Sequence, residues 1–112
     1  MATRSTIAIE LKDGTIKSAY CHNDGYREGV GYKLEKRFPN GTNLDIIEEF
    51  IDEGDRSTFD MSYKEWRNEN SPATEYATIE EYLDDMQAVA YLYTNEGLWL
   101  WKEYNDYGLQ EL

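Results

Sequence analysis

The sequence predicts an α+β domain in which an antiparallel sheet of about four strands carries two or three helices on one face. Two runs of alternating residues, each broken by a turn sequence, mark an N-terminal and a C-terminal hairpin, and the stretch between them changes to a helical period. The 112 residues make one domain, long enough to bury a core and too short for a second.

Residues 3–11 place Thr3, Ser5, Ile7, Ile9 and Leu11 on one side and Arg4, Thr6, Ala8 and Glu10 on the other, a strand with one buried face. Asp13-Gly14 suits the positive φ angles of a tight turn, and Thr15 to Cys21 resumes the extended pattern. From Gly25 to Phe38, Tyr26, Val30, Leu34 and Phe38 recur every fourth position, a helical stripe for which Asn23 or Asp24 is a natural N-cap. Gly29 and Gly31 weaken that helix, which suggests a close approach of another element or an irregular first turn.

Pro39-Asn40-Gly41 breaks the chain, and Thr42 or Asn43 caps a second helix with Leu44, Ile46, Ile47, Phe50 and Ile51 as its apolar face and Gly54 at its end. Residues 55–76 are polar and irregular, with Tyr63 and Trp66 as anchors, a break at Ser71-Pro72 and a short strand near Thr58 to Met61. Thr78-Ile79-Glu80-Glu81 is a reciprocal capping box and opens a short acidic helix through Tyr82 and Met86. Residues 88–104 split around Thr94-Asn95-Glu96-Gly97 into the strongest hairpin signal of the chain. Both faces of that hairpin are apolar or aromatic, so one packs on the helices while the other presents an aromatic surface.

Charge narrows the partners. The net charge is -12, yet the first forty residues hold seven Lys/Arg against five Asp/Glu while the remainder holds four against eighteen. Such a field repels phosphates, which argues against direct nucleic-acid binding and for basic proteins, or protein surfaces that themselves bind DNA. No apolar run approaches the ~20 residues that span a bilayer, no secretory signal opens the chain, and a lone cysteine fits a reducing cytoplasm. No zinc-type Cys/His set and no Asp-rich metal loop is present, and no cofactor is expected.

Three groups of residues invite chemistry. Cys21-His22 suggests a thiolate beside a base, but neighbours on a strand diverge, so a core cysteine and a hydrogen-bonding histidine are the simpler expectation. Gly25, Gly29 and Gly31 match no phosphate-binding pattern. The carboxylates Glu48, Glu49, Asp52, Glu53 and Asp55, with Glu80, Glu81, Asp84 and Asp85, form a candidate partner-binding face that can mimic DNA phosphates; the commoner meaning of such runs is a solvated helix face. Tyr91, Tyr93, Trp99 and Trp101 form a candidate aromatic patch for a partner or a second copy, against which stands burial under the C-terminal tail or the connection around Trp66.

The opening MATRSTIAIE, the Asp13-Gly14-Thr15 turn and the corner Tyr20-Cys21-His22-x-Asp24-Gly25-Tyr26 resemble a family of small uncharacterised proteins of tailed bacteriophages and prophages. The likeness covers roughly the first forty residues. Relatives carry tryptophan between the His and the Asp and proline after the second Tyr, where this chain has Asn23 and Arg27. The resemblance implies a setting, an accessory protein in the cytoplasm of an infected bacterium, and the leading expectation in that setting is a non-enzymatic protein that binds and perturbs a host or defence protein. A small-ligand binder or enzyme at the Cys21–Tyr26 corner and a homo-oligomer joined through the aromatic hairpin are the alternatives.

Overall fold

A computed structural model describes residues 2–112; Met1, the first residue of the MATRSTIAIE start, lies outside them. The expected hairpins form as β1 (Ser5–Glu10) with β2 (Ile16–Cys21), and β6 (Val89–Tyr93) with β7 (Trp99–Glu103). Between them lie a single π-helical turn (Arg27–Gly31), α1 (Tyr32–Arg37), α2 (Leu44–Asp52), β3 (Arg56–Thr58), β4 (Met61–Ser62), α3 (Tyr63–Arg67), β5 (Thr74–Tyr76) and α4 (Ile79–Asp84), and β8 (Gln110–Glu111) follows.

The four-stranded antiparallel sheet is not what forms. Among the described residues, eight strands make one mixed sheet in the order β4-β3-β2-β1-β6-β7-β8, with β5 also paired to β2. The hairpins join through a parallel pair, β1 with β6, in which Ser5 lies opposite Val89 and Ile9 opposite Tyr93. A second parallel pairing sets Cys21 beside Arg56. Parallel neighbours need long connections, and here these are the helical segments.

Helices also cover both faces rather than one. On the first face Ile7, Ile9, Ala19, Cys21, Tyr91, Tyr93 and Trp99 pack with Val30 of the π-helical turn, Leu34 of α1 and Ile47, Phe50 and Ile51 of α2. On the second, Ala8, Ile16, Ala90 and Leu92 pack with Tyr82 of α4. β1 is therefore buried on both sides, from Ser5 to Ile9, as a central strand must be. Its small residues Thr6 and Ala8 leave room for Tyr82, whose hydroxyl meets Thr6 Oγ1 at 2.7 Å and donates to the Tyr91 carbonyl at 3.0 Å.

The helix expected over Gly25–Phe38 is shorter and starts differently. Asp24 does not cap it; it takes a left-handed backbone conformation (φ 59°), and its carbonyl accepts the Val30 N–H at 2.9 Å. A Cβ at Gly29 would stand 2.3 Å from that carbonyl oxygen, and one at Gly25 2.6 Å from Ser5 Cβ, so both positions exclude a side chain. The two other expected caps hold: the Asn43 side chain accepts from the Asp45 N–H, and Thr78 from the Glu81 N–H while Glu81 reaches back to the Ala77 N–H.

The polar connection folds around a buried arginine. Arg56 is 2% exposed, with its guanidinium 4.2 Å from the centre of the Phe50 ring. It donates from Nε to the Phe59 carbonyl at 2.9 Å and from Nη1 to Glu53 at 3.1 Å. The anchor role expected of Trp66 falls to Arg56 and Phe59 instead: Trp66 is exposed on α3, stacked near Tyr63 and lying under the Arg67 guanidinium.

Two substitutions test the packing on either side of β1. Tyr82→Phe strands polar groups of Thr6 and Tyr91 in a dry site and is expected to cost about 1–3 kcal/mol in urea unfolding. Ser5→Ala removes a buried hydroxyl whose oxygen has no hydrogen-bond partner among the described residues, and is expected to be neutral or stabilising. Equal losses in the two variants would contradict this assignment.

Candidate functional site

The Tyr20–Tyr26 corner divides by strand alternation. Cys21 points into the first-face core and is fully buried. Burial pushes its thiol from 9.0 up to about 11, opposed by a hydrogen bond with the Asn23 carbonyl and by the charge of Arg56. A thiol held protonated at neutral pH is no nucleophile. His22 lies on the other side, its Nδ1 2.6 Å from the Tyr20 hydroxyl. The nucleophile and base expected of a hydrolytic pair are thus parted by the sheet. Tyr26 alone of the corner turns outward to line a groove, to which Cys21 does not contribute.

The four aromatics of the terminal hairpin do not form an open patch. Tyr91, Tyr93 and Trp99 are buried and Trp101 is half-buried, all on the first face. Their polar tips explain the orientation: the Tyr91 hydroxyl donates to the Gly25 carbonyl at 2.7 Å, that of Tyr93 to Thr42 at 2.6 Å, and Trp99 Nε1–H to Phe38 at 2.7 Å. Leu112 packs against this cluster from the C-terminal tail, as one of the sequence expectations held. The second face of the hairpin holds Ala90, Leu92, Leu100 and the buried Lys102, and is partly capped by α4 and Leu109.

The nine candidate carboxylates are not one surface. Those of α2 and its C-terminal extension lie on the first face and those of α4 on the second, with the sheet between them. The two groups also differ in neutralisation. Lys17 bonds Glu48 at 2.7 Å and Asp52 at 2.9 Å; burial works against its charge, but those two carboxylates raise its pKa overall. Glu53 pairs with Arg56, and Asp55 accepts from the Tyr20 N–H and the Ser71 hydroxyl. Glu49 remains exposed and outside any ion pair among the described residues. On α4, Glu80, Glu81, Asp84 and Asp85 are all exposed, and none has a Lys or Arg partner among the described residues. Asp85 accepts the Tyr76 hydroxyl at 2.5 Å, and Tyr76 is raised to about 12 by burial and by that bond.

What sequence reasoning missed is this partition. The signal was Lys17, alone on the inner side of β2 at a position that faces α2. Among the described residues, no three His, Cys, Asp or Glu gather to hold a metal ion, and no helix is long and apolar enough to cross a membrane.

The buried titrating groups set an alkaline limit. Cys21, Tyr82 and Tyr91 all have raised pKa values, chiefly through burial. The unfolded chain then loses protons that the folded chain keeps, so the stability these groups contribute is full below pH 9.0 and falls as pH rises toward about 11. Urea unfolding across that range checks it, and Cys21→Ala should weaken the onset of the fall. In parallel, a thiol reagent at neutral pH should label Cys21 only after denaturant is added; rapid labelling of the native protein would contradict the burial. Comparison of the chain with protein-family models, with curated proteins and with solved structures finds no match.

Proposed function

We propose that the protein is a non-enzymatic binding protein whose α4 ridge engages a basic surface on a partner protein. The observation that carries this is the set Glu80, Glu81, Asp84 and Asp85: four exposed carboxylates along one short helix and its C-cap, none in an ion pair with a Lys or Arg of the described residues. The helix is held by its capping box and by Tyr82, its one buried residue, so the charges are presented on a fixed support. Such an arrangement favours association with a positive patch and steers its approach.

In the setting implied by the phage-type N-terminal segment, the partner is a host or defence protein in the bacterial cytoplasm, and a DNA-binding protein supplies the required positive surface. Mimicry of DNA here rests on α4 alone, since the α2 carboxylates are on the opposite face and Glu48, Asp52 and Glu53 among them are engaged by Lys17 and Arg56. Homo-oligomerisation through the aromatic hairpin loses its basis with the burial of Tyr91, Tyr93 and Trp99.

Immobilised protein in bacterial lysate should retain a partner at low salt and release it at high salt. Glu80→Lys with Asp84→Lys should weaken capture at least about tenfold, ~1.4 kcal/mol. Asp45→Lys with Glu49→Lys on α2 should leave capture within about threefold of the parent. No retained protein, or equal loss from both pairs of reversals, would overturn the assignment to α4.

A further inference from the structure

A groove of about 210 Å³ opens where the Tyr26–Glu28 segment meets the ends of β6 and β7. Three aromatic residues line it: Tyr26, 44% exposed, Tyr104, 72% exposed, and the half-buried Trp101, whose ring stacks on Tyr91 at 16°. Exposed tyrosines beside a supported indole are not explained by core packing. Two carboxylates, Glu28 and Glu103, complete the walls; both are exposed, and neither has an ion-pair partner among the described residues.

One further resident identifies the chemistry. The Arg27 guanidinium lies 5.7 Å from the centre of the Trp101 ring, the position a bound cation takes over an aromatic face. It is loosely held: its side chain is 47% exposed, and its one carboxylate partner among the described residues, Glu35, stands 3.9 Å away, at the limit of an ion pair. The groove thus already receives a positive group of its own chain, and that group is free to leave.

We propose that this groove binds an organic cation, an alkylammonium or methylated ammonium head, which displaces Arg27 and sits among Tyr26, Trp101 and Tyr104 with Glu28 and Glu103 balancing its charge. Aromatic faces attract a desolvated ammonium through their quadrupoles, and flanking carboxylates select it over an uncharged group of equal size. The volume admits one such head or one lysine side chain. The groove is on the first face of the sheet, away from α4, so this site and the α4 ridge stand or fall separately.

Titration of the protein with tetramethylammonium chloride, followed by the Trp101 indole N–H in proton–nitrogen correlation spectra against sodium chloride at equal ionic strength, tests it. A saturable shift is expected, with neopentyl alcohol, an uncharged counterpart, at least about fivefold weaker. Tyr104→Ala and Glu103→Gln, both at exposed positions, should each weaken binding about threefold or more. Arg27→Ala should tighten it, because the competing cation is gone. No saturable shift, equal binding of neopentyl alcohol, or weaker binding by Arg27→Ala would overturn the proposal. A lysine arm separates the sources: Nα-acetyl-lysine amide binding as tightly as tetramethylammonium indicates a protein side chain, and selective binding of tetramethylammonium a free quaternary ammonium.

Discussion

A buried tyrosine or tryptophan is stable only when its polar tip finds a partner, and on the terminal hairpin three such tips find theirs in one segment of chain. Tyr91 reaches the Gly25 carbonyl ahead of the π-helical turn, Trp99 the Phe38 carbonyl at the end of α1, and Tyr93 the Thr42 carbonyl just before α2. The backbone reinforces the attachment, since Trp99 N–H donates to the Asn40 side chain and Gly41 N–H to the Gly97 carbonyl. Residues 25–42 are therefore fastened at both ends to a hairpin that lies more than fifty residues later. With that segment fixed over the first face, α2 is positioned over β1 and β2, and Lys17 meets Glu48 and Asp52.

The same constraint explains which parts of the molecule were legible in its sequence. Both hairpins could be read because period-two alternation and turn residues are local signals, and the Asn43 and Thr78 caps because a cap is decided within four residues. The parallel joining of β1 to β6 has no such signal: it pairs residues about eighty positions apart, and nothing in either strand alone names the other. Thr6 and Ala8 looked like an outward face because they are small or polar, whereas they are small so that Tyr82 can lie over them. Strands of two or three residues, such as β4, β5 and β8, are shorter than any readable period.

The candidate sites were misread for a related reason. Sequence shows that Tyr91, Tyr93, Trp99 and Trp101 share a face but not whether that face is covered, and hydroxyl and indole tips serve a buried network as well as an interface. Acidity was legible as a total and not as a surface. Once the fold places α2 and α4 on opposite faces, and Lys17 and Arg56 engage Glu48, Asp52 and Glu53, the same count of carboxylates divides into a partly paired group and an unpaired ridge. The corner at Tyr20–Tyr26 is a joint, in line with the simpler of its two sequence readings: Cys21 belongs to the core, Asp24 and Gly29 shape the turn, and Tyr26 is left facing outward.

The fastening of residues 25–42 is tested most directly by hydrogen exchange at the Trp99 indole N–H. If that group is locked onto the Phe38 carbonyl as part of the central fold, it exchanges only through global unfolding, with the same protection as the backbone amides of Ile7 and Ile9 in β1. Exchange of the indole far faster than those amides, independent of the global stability, would show that the segment lifts locally and that the hairpin does not hold the fold together.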